Sequence, residues 1–376
     1  MDPERWHRLS PLLDALLELA PDQQLAELQR LRSQQPDLTD ELGALLALEQ
    51  EHASFLQRPL LQTAAQQQPG DRVDSYRLQH LLGEGGMSTV WLATHEAGTN
   101  TRQVALKLLL PGLVDTQRSP GLDHEALILS RFALACVPRL LQAGIAAEGQ
   151  PYLALEYVAG LPITEHAVRH ALSVEQRIRL FLQACTAVSQ LHEHRVVHRD
   201  LKPANVLVTD EGSVCLLDFG IAAVLDGSWP PPAHADAAVR SFTLQYAAPE
   251  QVRGEAPSVV NDVYALGVVL YELLAGSKPY RLRRRSDAES DQALLAVDMP
   301  TPSIALQRCR QDALEVAPSG ELDAELDAIV LKALEKEPAA RHASVQSLSL
   351  ALTDYLDSQP SQNPPHLSGR LPRSPG

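Results

Sequence analysis

The sequence has few cysteines and little positive charge, and both shortages limit what the protein can be. Its 376 residues include four cysteines, and 32 basic residues against 47 acidic ones leave a net charge of −15. Phosphate binding needs a basic footprint, so this balance disfavours a chain-wide nucleic-acid surface. The cysteines lie far apart and form no CxxC pair, which predicts free thiols in a reducing compartment. They are Cys136, Cys185, Cys215 and Cys309.

Long apolar runs are also missing. The longest one, over residues 263–276, is short and contains Glu272, whereas a membrane span needs about 20 apolar residues. The start, MDPERWHRLS, does not show the basic start, apolar stretch and small-residue cleavage site of a signal peptide. With 45% hydrophobic and 21% charged residues the composition is typical of a soluble globular protein. We therefore expect a cytoplasmic protein without a membrane span.

The hydrophobic pattern changes along the chain and divides it into parts. Residues 1–61 have apolar positions at helical spacing, broken at Pro21 and Pro36, which predicts three short amphipathic helices. A Gln-rich linker over 62–75 follows, and a Pro/Ser-rich tail over 357–376 is expected to be disordered. Between them a sheet-forming part precedes a helical part, so the fold class is α+β. The predicted strands are 76–82, 89–93, 103–109, 138–144 and 152–158, and the predicted helices are 123–133, 174–194, 261–274, 322–334 and 345–356.

A glycine-rich turn joins the first two predicted strands. It reads Gly83-Glu84-Gly85-Gly86 and is followed by Val90. Glycines in a tight turn allow positive φ and let backbone N–H groups approach phosphates closely. Taken alone, such a turn is more often only a hairpin turn.

Lys107 lies between apolar residues on the third predicted strand. An ammonium in that setting must find an anionic partner, and Glu125 on the following helix is the candidate. The alternative is an edge lysine that extends to water. Composition disfavours that alternative, because only five of the 32 basic residues are lysines and Lys107 is one of them.

The most specific signal is the segment His198-Arg199-Asp200-Leu201-Lys202-Pro203-Ala204-Asn205, followed by Asp218-Phe219-Gly220. An aspartate, a lysine and an amide close together, with a second aspartate at a strand end, are the groups that activate a hydroxyl nucleophile and hold magnesium. We predict that His198 packs and forms hydrogen bonds here and is not a general base.

In order along the chain, these motifs resemble the eukaryotic-like (Hanks-type) serine/threonine protein kinases of bacteria. The resemblance covers residues 76–356. It rests on Gly83 to Val90, Lys107, Glu125, Glu156-Tyr157-Val158, His198 to Asn205, Asp218 to Gly220, Ala248-Pro249-Glu250, Asp262 and Arg341. It implies a bilobal protein kinase fold with a small β-rich N-lobe (76–155), a hinge (156–160) and a larger helical C-lobe (161–356), preceded by the N-terminal helical extension. Ser88 departs from the family pattern, because it replaces the third glycine of the phosphate loop.

The resemblance implies a role for each motif residue. Asp200 would accept the proton of the attacking hydroxyl, and Lys202 would stabilise charge on the transferring phosphoryl group. Lys107, held by Glu125, would bind the α- and β-phosphates of ATP, and Asn205 and Asp218 would bind Mg²⁺ or Mn²⁺. The other implied nucleotide-binding residues are Gly83, Glu84, Gly85, Gly86, Val90, Glu156 and Val158.

The implied activity is transfer of the γ-phosphate of ATP to serine or threonine hydroxyls of protein substrates, with autophosphorylation, in bacterial signalling. One alternative is a pseudokinase scaffold that binds partners without catalysis. A small-molecule kinase of the aminoglycoside-phosphotransferase type is a poorer match, because Ala248-Pro249-Glu250 with Arg341 as its partner builds a platform for protein substrates. The N-terminal helices are either a partner-binding or homodimerisation module or a prop against the kinase lobes, and no nucleic-acid partner is expected.

Overall fold

In the computed structural model of the chain, the described residues are 67–84, 88–97, 100–109, 120–131, 134–146, 149–219, 223–224, 245–280, 299–311 and 317–359. The chain divides into two units, Met1–Gln67 and Gln68–Gly376, and every described residue except Gln67 belongs to the second. The predicted N-terminal helices, Gly85 and Gly86, and the tail beyond Gln359 lie outside the described residues.

An antiparallel sheet forms the first part of this unit. Its strands are β1 (Arg72–Val73), β2 (Tyr76–Glu84), β3 (Ser88–Ala97), β4 (Asn100–Leu109), β5 (Leu140–Ile145) and β6 (Pro151–Glu156), with helix α1 (Pro120–Arg131) between β4 and β5. The spatial order is β1-β2-β3-β4-β6-β5. In β2, Tyr76 and Leu78 are buried and Arg77 is exposed, which is the alternation that puts one face of a strand on a core. All five predicted strands are confirmed, and β1 lies within the predicted linker.

Helices dominate the second part. They are α2 (Ile163–Arg169), α3 (Val174–Glu193), α4 (Pro249–Val252), α5 (Val259–Ala275), α6 (Pro302–Gln311), α7 (Ala324–Ala333) and α8 (Val345–Ser358). Helix α3 begins at a capping box, because Ser173 accepts from the N–H of Gln176 and the Gln176 side chain accepts from the N–H of Ser173. Helix α5 is central, and its residues from Asn261 to Ala275 are buried except Glu272. It ends at Gly276, whose φ of 70° closes the last turn.

Short strands hold the loops that carry the sequence motifs. They are β7 (Leu161–Pro162), β8 (Val196–Val197), β9 (Val206–Val208), β10 (Val214–Leu216) and β11 (Ala223–Val224), paired in the orders β10-β9-β7 and β11-β8. A 3₁₀ turn over Pro203–Asn205 precedes β9. The backbones approach closely here, since a Cβ on Gly160 would lie 2.6 Å from the carbonyl oxygen of Val208. The motif loops are therefore anchored at both ends.

The predicted α+β class, with a β-rich part before a larger helical part, is confirmed by this order of elements. The domain boundaries themselves remain a prediction. Helix α8 continues to Ser358, slightly past the predicted end of the domain at 356. All four cysteines are free thiols. Among the helices of the described part, none has the length and apolar character needed to cross a membrane.

Candidate active site

Lys107 of β4 contacts two carboxylates. Its Nζ lies 2.7 Å from Oε2 of Glu125 on α1 and 2.8 Å from Oδ1 of Asp218. The backbone N–H of Phe219 donates to the other oxygen of Glu125 at 3.3 Å. The predicted Lys107–Glu125 pair is therefore confirmed, and Asp218 joins it from 111 residues further along the chain.

These contacts keep the Lys107 ammonium charged. Burial alone lowers its pKa, but the charges of Glu125 and Asp218, with their hydrogen bonds, outweigh burial and raise the pKa of Lys107 above its ordinary value. Burial also raises the pKa of the Glu125 carboxyl, and the charge of Lys107 opposes that shift. The site thus holds a charged ammonium between two carboxylates.

A second polar group lies on the loop between β8 and β9. The Nζ of Lys202 is 2.7 Å from Oδ2 of Asp200. The Asn205 amide donates from Nδ2 to the backbone carbonyl of Asp200 at 2.7 Å and to Oδ2 of Asp200 at 3.1 Å. The Asp200 residue is only 8% exposed. The 3₁₀ turn folds Asn205 back over the loop. The side chains of Lys202 and Asn205 therefore both contact the carboxylate of Asp200.

Backbone hydrogen bonds place the two polar groups side by side. The N–H of Leu217 donates to the carbonyl oxygen of Asn205 at 2.9 Å. His198 donates from Nε2 to the carbonyl oxygen of Leu217 at 3.0 Å and accepts at Nδ1 from the N–H of Asp200 at 3.4 Å. Since Leu217 precedes Asp218, the loops of Asp200 and Asp218 are tied together. His198 is fully buried and uses both ring nitrogens on the backbone, which confirms that it is a packing and hydrogen-bonding residue.

The backbone is strained at two points of the site. Arg199 and Asp218 have φ values of 69° and 62°, a region that non-glycine residues adopt at a cost of about 1–2 kcal/mol. The conformation of Arg199 is held by the buried carboxylate of Asp262, which accepts at 2.9 Å from the N–H groups of both His198 and Arg199. A strained backbone conformation of this kind persists only where several surrounding contacts hold it in place.

Asp262 also accepts from Nε2 of His192 at 2.8 Å. Burial raises the pKa of the Asp262 carboxyl, but the hydrogen bond and charge of His192, with the hydrogen bond from the N–H of Arg199, lower it below its ordinary value overall. Asp262 was recognised in the sequence as part of the family pattern. Its three hydrogen bonds to the loop of Asp200 and to α3 were not predicted.

Helix α4 is fixed on both sides. Glu250 and Arg341 form a buried two-pronged ion pair, with Nη1–Oε1 at 2.7 Å and Nη2–Oε2 at 2.8 Å, which confirms their predicted pairing. Arg341 also donates to the carbonyl oxygens of Glu335, Val260 and Lys336. On the other side, Nε2 of Gln251 donates to the carbonyl oxygen of Arg199 at 2.8 Å. Helix α4 therefore lies against the loop that carries Asp200.

The glycine-rich turn is described only in part. Gly83 of β2 pairs with Val90 of β3, and Val90 pairs with Lys107 of β4, so strand register places Gly83 level with Lys107, two strands away. A Cβ on Gly83 would meet nothing within 4 Å, so the protein's own packing does not require glycine at this position. Glu84 is exposed at the end of β2.

The predicted hinge follows β6. The Glu156 carboxylate accepts hydrogen bonds from Nε and Nη2 of Arg139 at 3.1 and 3.2 Å and from Nη2 of Arg102 at 3.2 Å. The hydrogen bonds from Arg139 are the main cause that lowers the pKa of Glu156. Its side chain is thus engaged by arginines, and its backbone N–H donates to the carbonyl oxygen of Arg139 at 2.9 Å.

The groups of this site suit a nucleotide with a divalent cation. The Asn205 amide nitrogen is used by two hydrogen bonds, so its amide oxygen is the atom left for a cation, and the Asp218 side chain is 45% exposed. Both supply hard oxygen ligands of the kind that Mg²⁺ prefers. No cluster of three or more His, Cys, Asp or Glu within the described ranges could hold a metal alone. The site therefore fits a cation that takes its remaining ligands from phosphates and water.

Comparison with known proteins agrees with this geometry. Residues 76–351 match the family model for the protein kinase domain. Serine/threonine-protein kinase PknB of Mycobacterium tuberculosis is 32% identical over 305 residues, which cover 79% of this chain and 45% of that protein. Serine/threonine-protein kinase pkn3 of Myxococcus xanthus is 33% identical over 289 residues, covering 74% of this chain and 49% of that protein.

The chain thus spans about half the length of the curated relatives it matches. The matched region contains both polar groups of the site, the predicted hinge and the Glu250–Arg341 pair, and it follows the predicted order of a β-rich lobe and a helical lobe. Members of the matched family use ATP with a divalent metal ion. The chain belongs to the protein kinase family, in its bacterial eukaryotic-like (Hanks-type) serine/threonine branch.

Proposed function

We propose that the chain is an ATP-dependent serine/threonine protein kinase, which phosphorylates serine and threonine hydroxyls of proteins, itself included, in bacterial signalling. The observation that carries this proposal is the contact of Lys107 with both Glu125 and Asp218, at 2.7 and 2.8 Å. That contact brings a charged ammonium from the sheet, a carboxylate from α1 and a carboxylate from the loop after β10 to one point. The phosphates of a nucleotide need a positive charge that is held in place, and the Lys107 ammonium is held there by the two carboxylates.

Phosphoryl transfer needs positioning and charge neutralisation more than covalent chemistry from the protein. In the proposed reaction the substrate hydroxyl oxygen forms a bond to the γ-phosphorus while the bond from that phosphorus to the β-phosphate oxygen breaks and ADP leaves. Asp200 takes the hydroxyl proton, and Lys202, 2.7 Å from Asp200, neutralises charge on the transferring group. Lys107 holds the α- and β-phosphates.

The remaining groups hold the nucleotide. Asn205 and Asp218 would bind Mg²⁺ or Mn²⁺, which supplies positive charge to the phosphates when bound. The turn with Gly83, Glu84, Gly85 and Gly86 would cover the phosphates, with Val90 beside it. The backbones of Glu156 and Val158 would meet the base.

No observation favours the pseudokinase alternative. A pseudokinase usually lacks one of the groups that contact metal, phosphate or the transferred proton, and here Lys107, Glu125, Asp200, Asn205 and Asp218 are all present. The small-molecule kinase alternative also lacks support, because the buried Glu250–Arg341 pair fixes α4 beside Asp200.

The test is transfer of radiolabelled γ-phosphate from ATP to myelin basic protein, a general kinase substrate, by the full chain. We expect label on serine and threonine, and a loss of about 100-fold or more in Asp200→Asn, because general-base catalysis contributes about 10²–10⁴-fold. Lys107→Met should lose activity to a similar extent. Activity above a tenth of wild type in Asp200→Asn would contradict the proposal.

A further inference from the structure

The segment that leads into α4 lies beside the loop of Asp200. It consists of Gln245, Tyr246, Ala247 and Ala248, and the last three are buried. Gln251, one turn into α4, donates to the carbonyl oxygen of Arg199, the residue before Asp200. These four residues, which we call the entry segment, therefore directly precede a helix that is fixed against the loop of Asp200.

The entry segment is held from one direction, by the end of α5 and the residues that follow it. The Tyr246 hydroxyl donates to Oε2 of Glu272 at 2.7 Å. The Tyr280 hydroxyl donates to the carbonyl oxygen of Gln245 at 3.2 Å and lies 3.4 Å from the hydroxyl of Tyr264. These tyrosines are buried, so their positions are fixed by packing as well as by hydrogen bonds.

Lys278 also contacts the entry segment. Its Nζ donates to Oε1 of Gln245 and lies 4.9 Å from the centroid of the Tyr246 ring. Both contacts use the same ammonium, which therefore fixes the Gln245 side chain relative to the Tyr246 ring. A cation over an aromatic face is attracted by the electron density of the ring.

The surroundings of Lys278 indicate that it acts on the entry segment. None of the ion pairs formed among the described residues involves Lys278. A lysine that served only solubility would extend to water. Lys278 is instead half-buried, and its ammonium contacts the side chains of Gln245 and Tyr246. It is also one of few lysines among the 32 basic residues, and Lys107 and Lys202 belong to the site itself.

We propose that Lys278 is a positioning residue for the protein substrate: it holds Gln245 and Tyr246, and so shapes the entry segment that the substrate passes on its way to Asp200. Lys278 contacts neither nucleotide nor phosphate in this role, so it should affect the use of protein and not the use of ATP. The inference rests on the proposed kinase function.

The test compares three variants of the full chain with wild type. Lys278→Met keeps the length of the side chain and removes its charge and its hydrogen-bond donors. Lys278→Arg keeps the charge and the donors. Lys332→Met removes an exposed lysine on α7 and is the matched control. The measured quantities are KM and kcat for myelin basic protein, KM for ATP, and ATP hydrolysis without any protein substrate. Thermal unfolding of each variant reports its folding.

We expect Lys278→Met to raise KM for myelin basic protein about 5- to 10-fold, in keeping with the loss of one cation–π contact and one hydrogen bond. KM for ATP and the rate of ATP hydrolysis should stay within about twofold of wild type, because Lys107, Asp200 and Asp218 are untouched. Lys278→Arg should recover most of the loss, and Lys332→Met should equal wild type.

An unchanged KM for myelin basic protein in Lys278→Met overturns the inference while the kinase assignment stands. A rise in KM for ATP equal to the rise for protein also overturns it, because the effect is then on the whole site. The inference is also overturned if Lys278→Arg, folded as wild type, raises KM for myelin basic protein as much as Lys278→Met does. If wild type itself transfers no phosphate to protein, the proposed function fails and this inference fails with it.

Discussion

At the scale of single residues, Asp262 shapes the site without facing a substrate. Its carboxylate accepts from the N–H groups of His198 and Arg199 and from Nε2 of His192. Two of these bonds hold the backbone just before Asp200, where Arg199 has a φ of 69°. The strained loop therefore depends on a buried negative charge that is fully hydrogen-bonded.

We predict that Asp262→Asn lowers the free energy of unfolding by about 2–4 kcal/mol at pH 7, because an amide nitrogen replaces one of the accepting oxygens. The effect should depend on pH. The pKa of Asp262 is lower in the folded chain than in the unfolded chain, so its contribution is complete above the unfolded pKa of about 3.9 and is lost as pH falls through the folded pKa.

Denaturant unfolding between pH 7 and pH 3.5 checks this prediction. The difference between wild type and Asp262→Asn should be constant from pH 7 to about pH 5 and should shrink below about pH 4. Asp357→Asn, which changes an exposed carboxyl near the end of α8, should show no comparable difference. A gap that stays unchanged at the lowest pH would refute the assigned role of the Asp262 charge.

At the scale of elements, the packing of α5 against α7 depends on Gly267. A Cβ at this position would lie 2.9 Å from Cβ of Ala333 and 3.1 Å from Cδ2 of Leu334. The absence of a side chain lets the two helices approach, although glycine in a helix interior costs about 1 kcal/mol relative to alanine. Close packing thus offsets poor helix propensity in this largely buried helix.

We predict that Gly267→Ala destabilises the chain by up to about 2 kcal/mol, because overpacking costs about 1–3 kcal/mol and the better helix propensity of alanine offsets about 1 kcal/mol of it. The measurement is the denaturant midpoint of Gly267→Ala, Ala333→Gly and the double variant. The double variant should be more stable than the sum of the single effects predicts, since it removes the 2.9 Å contact. Strict additivity, or a more stable Gly267→Ala, would show that the helices are not in close contact here.

The elements also show what the sequence could and could not predict. The long helices and all five strands of the main sheet were predicted because each carries enough residues to show its period. Helices α2 and α4 were missed, since seven or four residues give few turns. Helix α6 has ten residues, as α7 does, but it was missed because Leu306 is the only large apolar residue among its buried positions, so its period is weak. Strand β1 was missed because its two residues have no detectable pattern. Periodicity therefore predicts elements only above a certain length.

The candidate site also contains residues that the sequence predicts and contacts that it does not. Lys107, Asp200, Asn205 and Asp218 were found because the chemistry of their motifs is local in sequence. The contacts of Asp262 with His198 and of Lys278 with Gln245 span 64 and 33 residues, and no local pattern indicates which distant side chains will meet. Long-range hydrogen bonds of this kind become visible only in the folded chain.

At the scale of the whole molecule, the β-rich and helical parts meet at the site. Lys107 belongs to the main sheet and Asp218 to the loop after β10, and their side chains form an ion pair at 2.8 Å. The N–H of Phe219 also donates to Glu125 of α1. A nucleotide bound at this point would contact both parts, so its binding should stabilise the folded chain as a whole.

We predict that MgATP at about 100 times its dissociation constant adds about 2.7 kcal/mol to the free energy of unfolding, and so raises the midpoint of thermal unfolding by about 5–10 °C. Excess chelator with the same ATP should remove most of this shift, because the negative charges of the phosphates then face Asp218 without a cation between them. Asp218→Asn should show a smaller shift with MgATP and little further effect of chelator. Asp357→Asn, with its exposed carboxyl far along the chain, should behave as wild type. An equal shift for ATP with and without chelator would mean that Asn205 and Asp218 do not form a cation site.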